Sequence, residues 1–247
     1  MNSSTLTVII WQCINRCVSS DIILASNSAM SVEDMIIQQA ILADDKTDWS
    51  KHDFMVVELQ KEGSSARSVD SGIKALQTES TEGDVTTFST LMPYKVMEDG
   101  ELVNSFEYAE SVADSRSVNN YYDTFVDVVV ATSVEYEVVG TYYYRHGGIT
   151  AYWGSTGNVS SIDRLYVSYR TYGVLYNWNG SLGSLYDGEN PTETTSVINV
   201  SNPTKGKLYS DYDTTPSDRV FVFGGSHLGS AVNVQINNEL PVIYNLP

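Results

Sequence analysis

The chain has 247 residues, with 31 acidic against 14 basic side chains and a formal net charge of −17. A chain this acidic, without a cluster of Lys or Arg, repels phosphate backbones and anionic headgroups, which argues against nucleic-acid partners and electrostatic attachment to a membrane surface. No apolar run approaches the roughly 18 residues that a spanning helix needs, so no membrane span is predicted.

Residues 1–29 read as a leader or degraded signal segment. Leu6 to Trp11 and Ile22 to Ala25 are short apolar patches split by polar residues, and Ala25-Ser26-Asn27-Ser28-Ala29 has the small side chains of a cleavage region. The two cysteines, Cys13 and Cys17, both fall in this segment. Their spacing is not that of a CxxC redox pair, and the cysteine-free remainder offers no disulfide framework, which suits an exported protein of a Gram-positive bacterium.

Residues 30–120 read as an N-terminal extension. Ser31-Val32-Glu33-Asp34 has the composition of a helix start, and Val32, Ile36, Ala40 and Ala43 recur at near-helical spacing, so a short helix ending near Asp44-Asp45 is predicted. Phe54 to Leu59 reads as a strand. Residues 61–84, rich in Ser, Thr, Glu, Gly and Lys, read as a polar linker because they offer little apolar surface to offset ordering entropy. A hairpin is predicted over 85–108, turning at Asp99-Gly100, with Pro93 marking an edge or bulged strand.

Residues 121–247 read as a β-sandwich domain that folds on its own. Fifteen of the seventeen tyrosines lie after residue 120. Val126, Val128, Val130, Thr132, Val134, Tyr136 and Val138 alternate with more polar residues, as a half-buried strand requires. Thr141 to Arg145, a His146-Gly147-Gly148 turn, and Ile149 to Trp153 follow. Arg164 to Trp178 is a long strand candidate, with a bend allowed at Gly173. Further strands are predicted at Ser196 to Val200, Lys207 to Tyr212, Arg219 to Phe223 and Ala231 to Ile236. This spacing, with no helical pattern between the strands, predicts an immunoglobulin-like antiparallel β-sandwich preceded by a short N-terminal helix and hairpin extension.

Two stretches carry a resemblance. Ser196-Val197-Ile198-Asn199-Val200-Ser201-Asn202-Pro203-Thr204-Lys205-Gly206 and Arg219-Val220-Phe221-Val222-Phe223-Gly224-Gly225-Ser226-His227-Leu228-Gly229 resemble the tail of secreted β-sandwich proteins of clostridia and related Gram-positive bacteria. The resemblance covers at most the last half of the chain and implies a β-sandwich fold and a secreted or cell-surface location. It brings no assigned activity and no motif residues.

For chemistry, Gly224-Gly225-Ser226-His227-Leu228-Gly229 comes nearest to a hydrolase elbow, but Leu228 stands where the last glycine is needed, and period-two residues rather than a helix follow. His52, His146 and His227 form no ligand-spaced pair. Asp211, Asp213 and Asp218, and separately Asp187, Glu189 and Asn190, are oxygen-rich loops without the spacing of a calcium loop. Asn158, Asn179 and Asn199 head N-x-Ser triplets. The remaining candidates are aromatic. Tyr166, Tyr172, Tyr176 and Trp178 share a parity, so one unbroken strand would place all four on one face, able to pack across strands, stack sugar rings or line a protein-binding surface. The expectation is a non-catalytic exported or surface protein without metal or cofactor. It acts on a protein or glycan partner, with a carbohydrate-binding module as the alternative and a serine hydrolase through Ser226 and His227 as a remote one.

Overall fold

The computed structural model describes residues 30–61, 72–113, 124–140, 143–157, 159–185, 192–222 and 229–246. Among these, two α-helices, α1 (Val32–Ala43) and α2 (Ser105–Ala113), accompany fourteen strands. The strands are β1 (Phe54–Lys61), β2 (Gly72–Glu82), β3 (Val85–Val96), β4 (Leu102–Asn104), β5 (Val128–Val139), β6 (Tyr143–Ser155) and β7 (Arg164–Gly173), then β8 (Leu175–Trp178), β9 (Leu182–Leu185), β10 (Thr192–Ser201), β11 (Tyr209–Asp211), β12 (Arg219–Val222), β13 (Gly229–Ile236) and β14 (Val242–Asn245). They join into one antiparallel sheet in the order β10-β7-β13-β14-β1-β2-β3-β5-β6-β12-β8-β9, with β4 paired to β3 and β11 to β6. The chain is therefore mainly β and antiparallel, as its alternation predicts. The observed arrangement is a single curled sheet.

The boundary expected at residue 120 is not a boundary of the sheet. β1 pairs with β14 and β3 pairs with β5, so the strands expected to form an extension sit between strands of the expected domain. The stretch read as a polar linker contains β2, which pairs with β1 along Phe54↔Thr78 to Gln60↔Gly72 and with β3 along Leu76↔Leu91 to Glu82↔Val85. Its low hydrophobicity misled because Gln77 and Thr78 are buried as paired polar groups. Gln77 Nε2 donates to Thr90 Oγ1, and Thr78 Oγ1 donates to the Asp53 carbonyl.

Period two decides what faces the inside of the curl. Leu165, Val167 and Tyr169 of β7, Val232, Val234 and Ile236 of β13, Val128, Val130 and Val134 of β5, and Ile73 and Ala75 of β2 point into one continuous core. Burying each Val, Leu or Ile contributes about 1.5–3 kcal/mol. Two interior polar groups answer one another there: Thr132 and Tyr244 hydroxyls lie 2.8 Å apart, joining β5 to β14 across the interior. Burial pushes the Tyr244 phenol up to about 12.

The outer face of β2, β3, β5 and β6 is apolar too, because the helices cover it. Met35, Ile36, Ala40 and Ala43 of α1 and Phe106 and Ala109 of α2 pack on Leu76, Leu91, Val129, Ala131 and Tyr152. The predicted helix is observed with its cap: Ser31 Oγ accepts from the Asp34 amide at 3.1 Å. Gln39 Oε1 accepts from the Phe125 and Val126 amides, tying α1 to the entry of β5. Pro93 lies in a central strand rather than an edge strand. It is tolerated because β2 stops pairing at Leu91. The gap is filled by Asn104, whose Nδ2 donates to the Pro93 and Lys74 carbonyls.

Candidate functional site

The strand predicted from Arg164 to Trp178 is cut at Val174, and its two parts have different neighbours. β7 lies between β10 and β13, whereas β8 lies between β12 and β9 at the far end of the strand order. Tyr166 and Tyr172 are thus opposed by Asn199 and Glu193 of β10 and by Gln235 and Gly229 of β13. Tyr166 is half-buried, with the Arg164 guanidinium 5.3 Å from its ring centre, and Tyr172 is 38% exposed. Tyr176 and Trp178, both half-buried, belong instead to β8. The four rings therefore do not form one row on an unbroken strand.

A different aromatic cluster forms around Trp178. Its ring lies 5.2 Å from that of Tyr143, on β6, at an interplanar angle of 53°. In the β8–β9 hairpin Tyr176 opposes Leu185 and Trp178 opposes Leu182, so two residues of β9, Gly183 and Ser184, face the single Asn177. That is a β-bulge. Asn177 Nδ2 closes it by donating to the Ser184 carbonyl and hydroxyl. In a regular strand Leu182 and Leu185, three positions apart, would point to opposite sides. The bulge turns both to the side of Tyr176 and Trp178, where they are 40% and 43% exposed. Beneath lies a packed floor in which Tyr144 stacks on Phe221 at 5.7 Å beside Leu175. Arg145 holds this part of the sheet together. Its Nη1 lies 2.9 Å from both carboxylate oxygens of Glu137, while Nε donates to the Arg219 carbonyl and Nη2 to the Ser217 carbonyl. The result is an aromatic and leucine-rich surface on a packed base, ending at β9, which among the described strands pairs only with β8.

His146 corrects another expectation. It does not precede an exposed turn: Gly147 and Gly148 are inside β6, and His146 is 1% exposed. Glycine is required at 147 because a Cβ would meet the Glu135 backbone at the bulge between β5 and β6. At 148 the ring of Tyr212 takes the space. The His146 ring stacks on Tyr169 at 4.0 Å, with Nδ1 2.9 Å from Thr171 Oγ1 and Nε2 3.0 Å from Ser196 Oγ. Thr171 in turn meets Ser230, and Ser196 donates to the Asp213 carbonyl. One side chain thereby joins β6, β7 and β10 where the curled sheet meets itself. Burial drives the His146 pKa from 6.5 down to about 4, partly opposed by the Asp211 carboxylate. The Ser196–His146 distance is that of a nucleophile and its base. Both are closed off from solvent, however, and the second ring nitrogen meets a hydroxyl rather than a carboxylate.

Ser226 and His227, and likewise Asp187, Glu189, Asn190 and Asn158, lie outside the described residues. Asp211 is engaged in holding the sheet, its Oδ2 accepting from the Val197 amide at 2.6 Å. Among the described residues no group of three or more His, Cys, Asp or Glu side chains is placed to hold a metal ion. A cleft of about 490 Å³ lies between the β5 entry and the β6 exit, lined by Lys95, Val96, Thr124, Asp127, Thr156, Gly157 and Val159. Lys95 Nζ is 2.9 Å from Asp127 and donates to the Thr124 carbonyl, so its charge is already matched.

Fold and surface define a class: a mainly-β chain built on one curled antiparallel sheet, with an aromatic face at one end. No family model, no curated protein and no solved structure matches the chain. The leucines of β9 are hidden in the sequence because they sit in a run of mostly polar and small residues, and Tyr143 because its neighbour Trp178 comes from a strand far along the chain. The signal for β9 was slight: Leu182 and Leu185 in an otherwise Gly- and Ser-rich run, after an Asn-Gly turn.

Proposed function

We propose that this is an exported or cell-surface protein that works by binding rather than catalysis, and that it engages a protein partner through the Tyr143, Tyr176 and Trp178 face and the adjoining Leu182 and Leu185. The observation that carries the reading is the bulge in β9, which turns two exposed leucines toward a half-buried Tyr–Trp pair over a buried floor. Aromatic anchors on a preorganised base are the features that concentrate binding energy in an interface. Export is supported by the cysteine-free chain after Cys17 and by the resemblance of the C-terminal stretches to secreted proteins. The immunoglobulin-like form of the fold rests on the number and spacing of the strands in the sequence.

Carbohydrate binding is the second reading, favoured by the partial exposure of Tyr166, Tyr172, Tyr176 and Trp178. The experiment separates the two. Wild type, Trp178→Ala and Leu182→Ser/Leu185→Ser are each assayed on a glycan array and on proteins of the producing cell's envelope, with cell fractionation locating the native protein. A protein partner predicts loss of envelope-protein binding in both variants. A glycan ligand predicts array binding lost with Trp178→Ala and kept by the leucine variant. Retention exclusively inside the cell, or full binding by both variants, refutes the proposal.

A further inference from the structure

We infer that Asn179 is a built-in deamidation site, at which the Gly180 backbone nitrogen attacks the Asn179 side-chain amide to form a succinimide. Asn179-Gly180 is the single Asn-Gly pair in the 247 residues. It forms the tip of the β8–β9 hairpin, with Asn179, Gly180 and Ser181 all exposed. A side chain after the asparagine would crowd the approach of nitrogen to Cγ. Gly180 has none, and the position a Cβ would take has no atom within 4 Å. Its φ of +98° is one that a non-glycine residue adopts only under strain, so the open position is fixed by the turn. Among the described residues the Gly180 amide has no hydrogen-bond acceptor, which leaves the nucleophile unencumbered.

The third component is Ser181, whose hydroxyl donates to Asn179 Oδ1 at 3.0 Å. Negative charge develops on that oxygen as the tetrahedral intermediate forms, and a donor already in place stabilises it. The step balances without an external reagent other than water. The Gly180 nitrogen loses its proton and bonds to Asn179 Cγ, and the bond from Cγ to the side-chain nitrogen breaks, releasing ammonia. Water then opens the ring at either carbonyl. One opening gives aspartate; the other gives isoaspartate, in which the chain runs through the former side-chain carbon. Both add a negative charge next to Trp178. The isoaspartate also lengthens the backbone of a two-strand hairpin whose register already contains a bulge. The inference does not depend on what the aromatic face binds.

The test uses the full chain, aged in mildly alkaline buffer at body temperature and mapped by peptide mass spectrometry, with Asn179→Asp as the standard for the aspartate product. The expected result is a mass gain of about one dalton, the signature of amide converted to acid, appearing at Asn179 before any other asparagine, with isoaspartate the larger product. Ser181→Ala is expected to slow it several-fold. An intact Asn179 in the folded chain, under conditions where a short peptide of the same sequence converts, overturns the site. An unchanged rate in Ser181→Ala overturns the role of the hydroxyl.

Discussion

Replacing His146 with phenylalanine tests how the curled sheet is held at the meeting of β6, β7 and β10. The substitution keeps a ring against Tyr169 and removes both ring nitrogens, and with them the bonds to Thr171 and Ser196. Each hydroxyl keeps a second partner, Ser230 and the Asp213 carbonyl, so the cost at neutral pH is that of two hydrogen bonds, about 1–3 kcal/mol. Acid changes the balance. The fold holds His146 neutral, with a pKa of about 4, while the unfolded chain takes up the proton near 6.5. Between those values the unfolded state binds more protons, so the stability contributed by neutral His146 is fully present above 6.5, declines as pH falls, and is gone below about 4. At about 1.4 kcal/mol for each pH unit between the two pKa values, the loss is on the order of 3 kcal/mol. Phenylalanine does not titrate. Urea unfolding of both proteins from neutral pH down to about 4 is expected to show wild type the more stable at the neutral end, with its advantage vanishing or reversing at the acid end. All other groups are common to the two chains and cancel in the difference. A stability difference that stays constant across this pH range would refute the reasoning.

A fragment of residues 121–247 is expected to be unfolded by circular dichroism, since it leaves β5 without β3 and β14 without β1; a folded fragment would show that β1–β3 are dispensable. Gly154→Ala places a Cβ against the Ala43 carbonyl where α1 ends on the sheet, and is expected to cost about 1–3 kcal/mol in thermal or chemical denaturation. An unchanged melting temperature would mean that α1 does not dock there. Tyr169→Ala, in the core, is expected to lose about 3–5 kcal/mol, against about 1 kcal/mol or less for Tyr166→Ala on the opposite face of the same strand. Equal losses would contradict the assignment of β7's two faces.

What the sequence determined by itself is what local chemistry determines. The Ser31 cap and the spacing of Val32, Ile36, Ala40 and Ala43 specify α1. Alternation in β5, β7 and β13 specifies which residues enter the core, because side chains change face at every residue of a strand. Pairing partners are not written in that alternation: Arg164 to Trp178 reads as one strand, yet it changes neighbours completely at Val174. β2 was illegible because its buried polar side chains are satisfied only by residues brought from Asp53 and Thr90. β14 and the bulged β9 are too short to carry a period. The aromatic face followed the same rule. Parity pointed to Tyr166, Tyr172, Tyr176 and Trp178 as a row, but only the tertiary structure could set Trp178 against Tyr143, 35 positions away, and use a bulge to turn Leu182 and Leu185 to the same side. His146 shows the physical reason most directly. In the sequence it is a polar residue before two glycines; in the fold those glycines admit the Glu135 backbone and the Tyr212 ring, and the imidazole becomes the buried link between three strands.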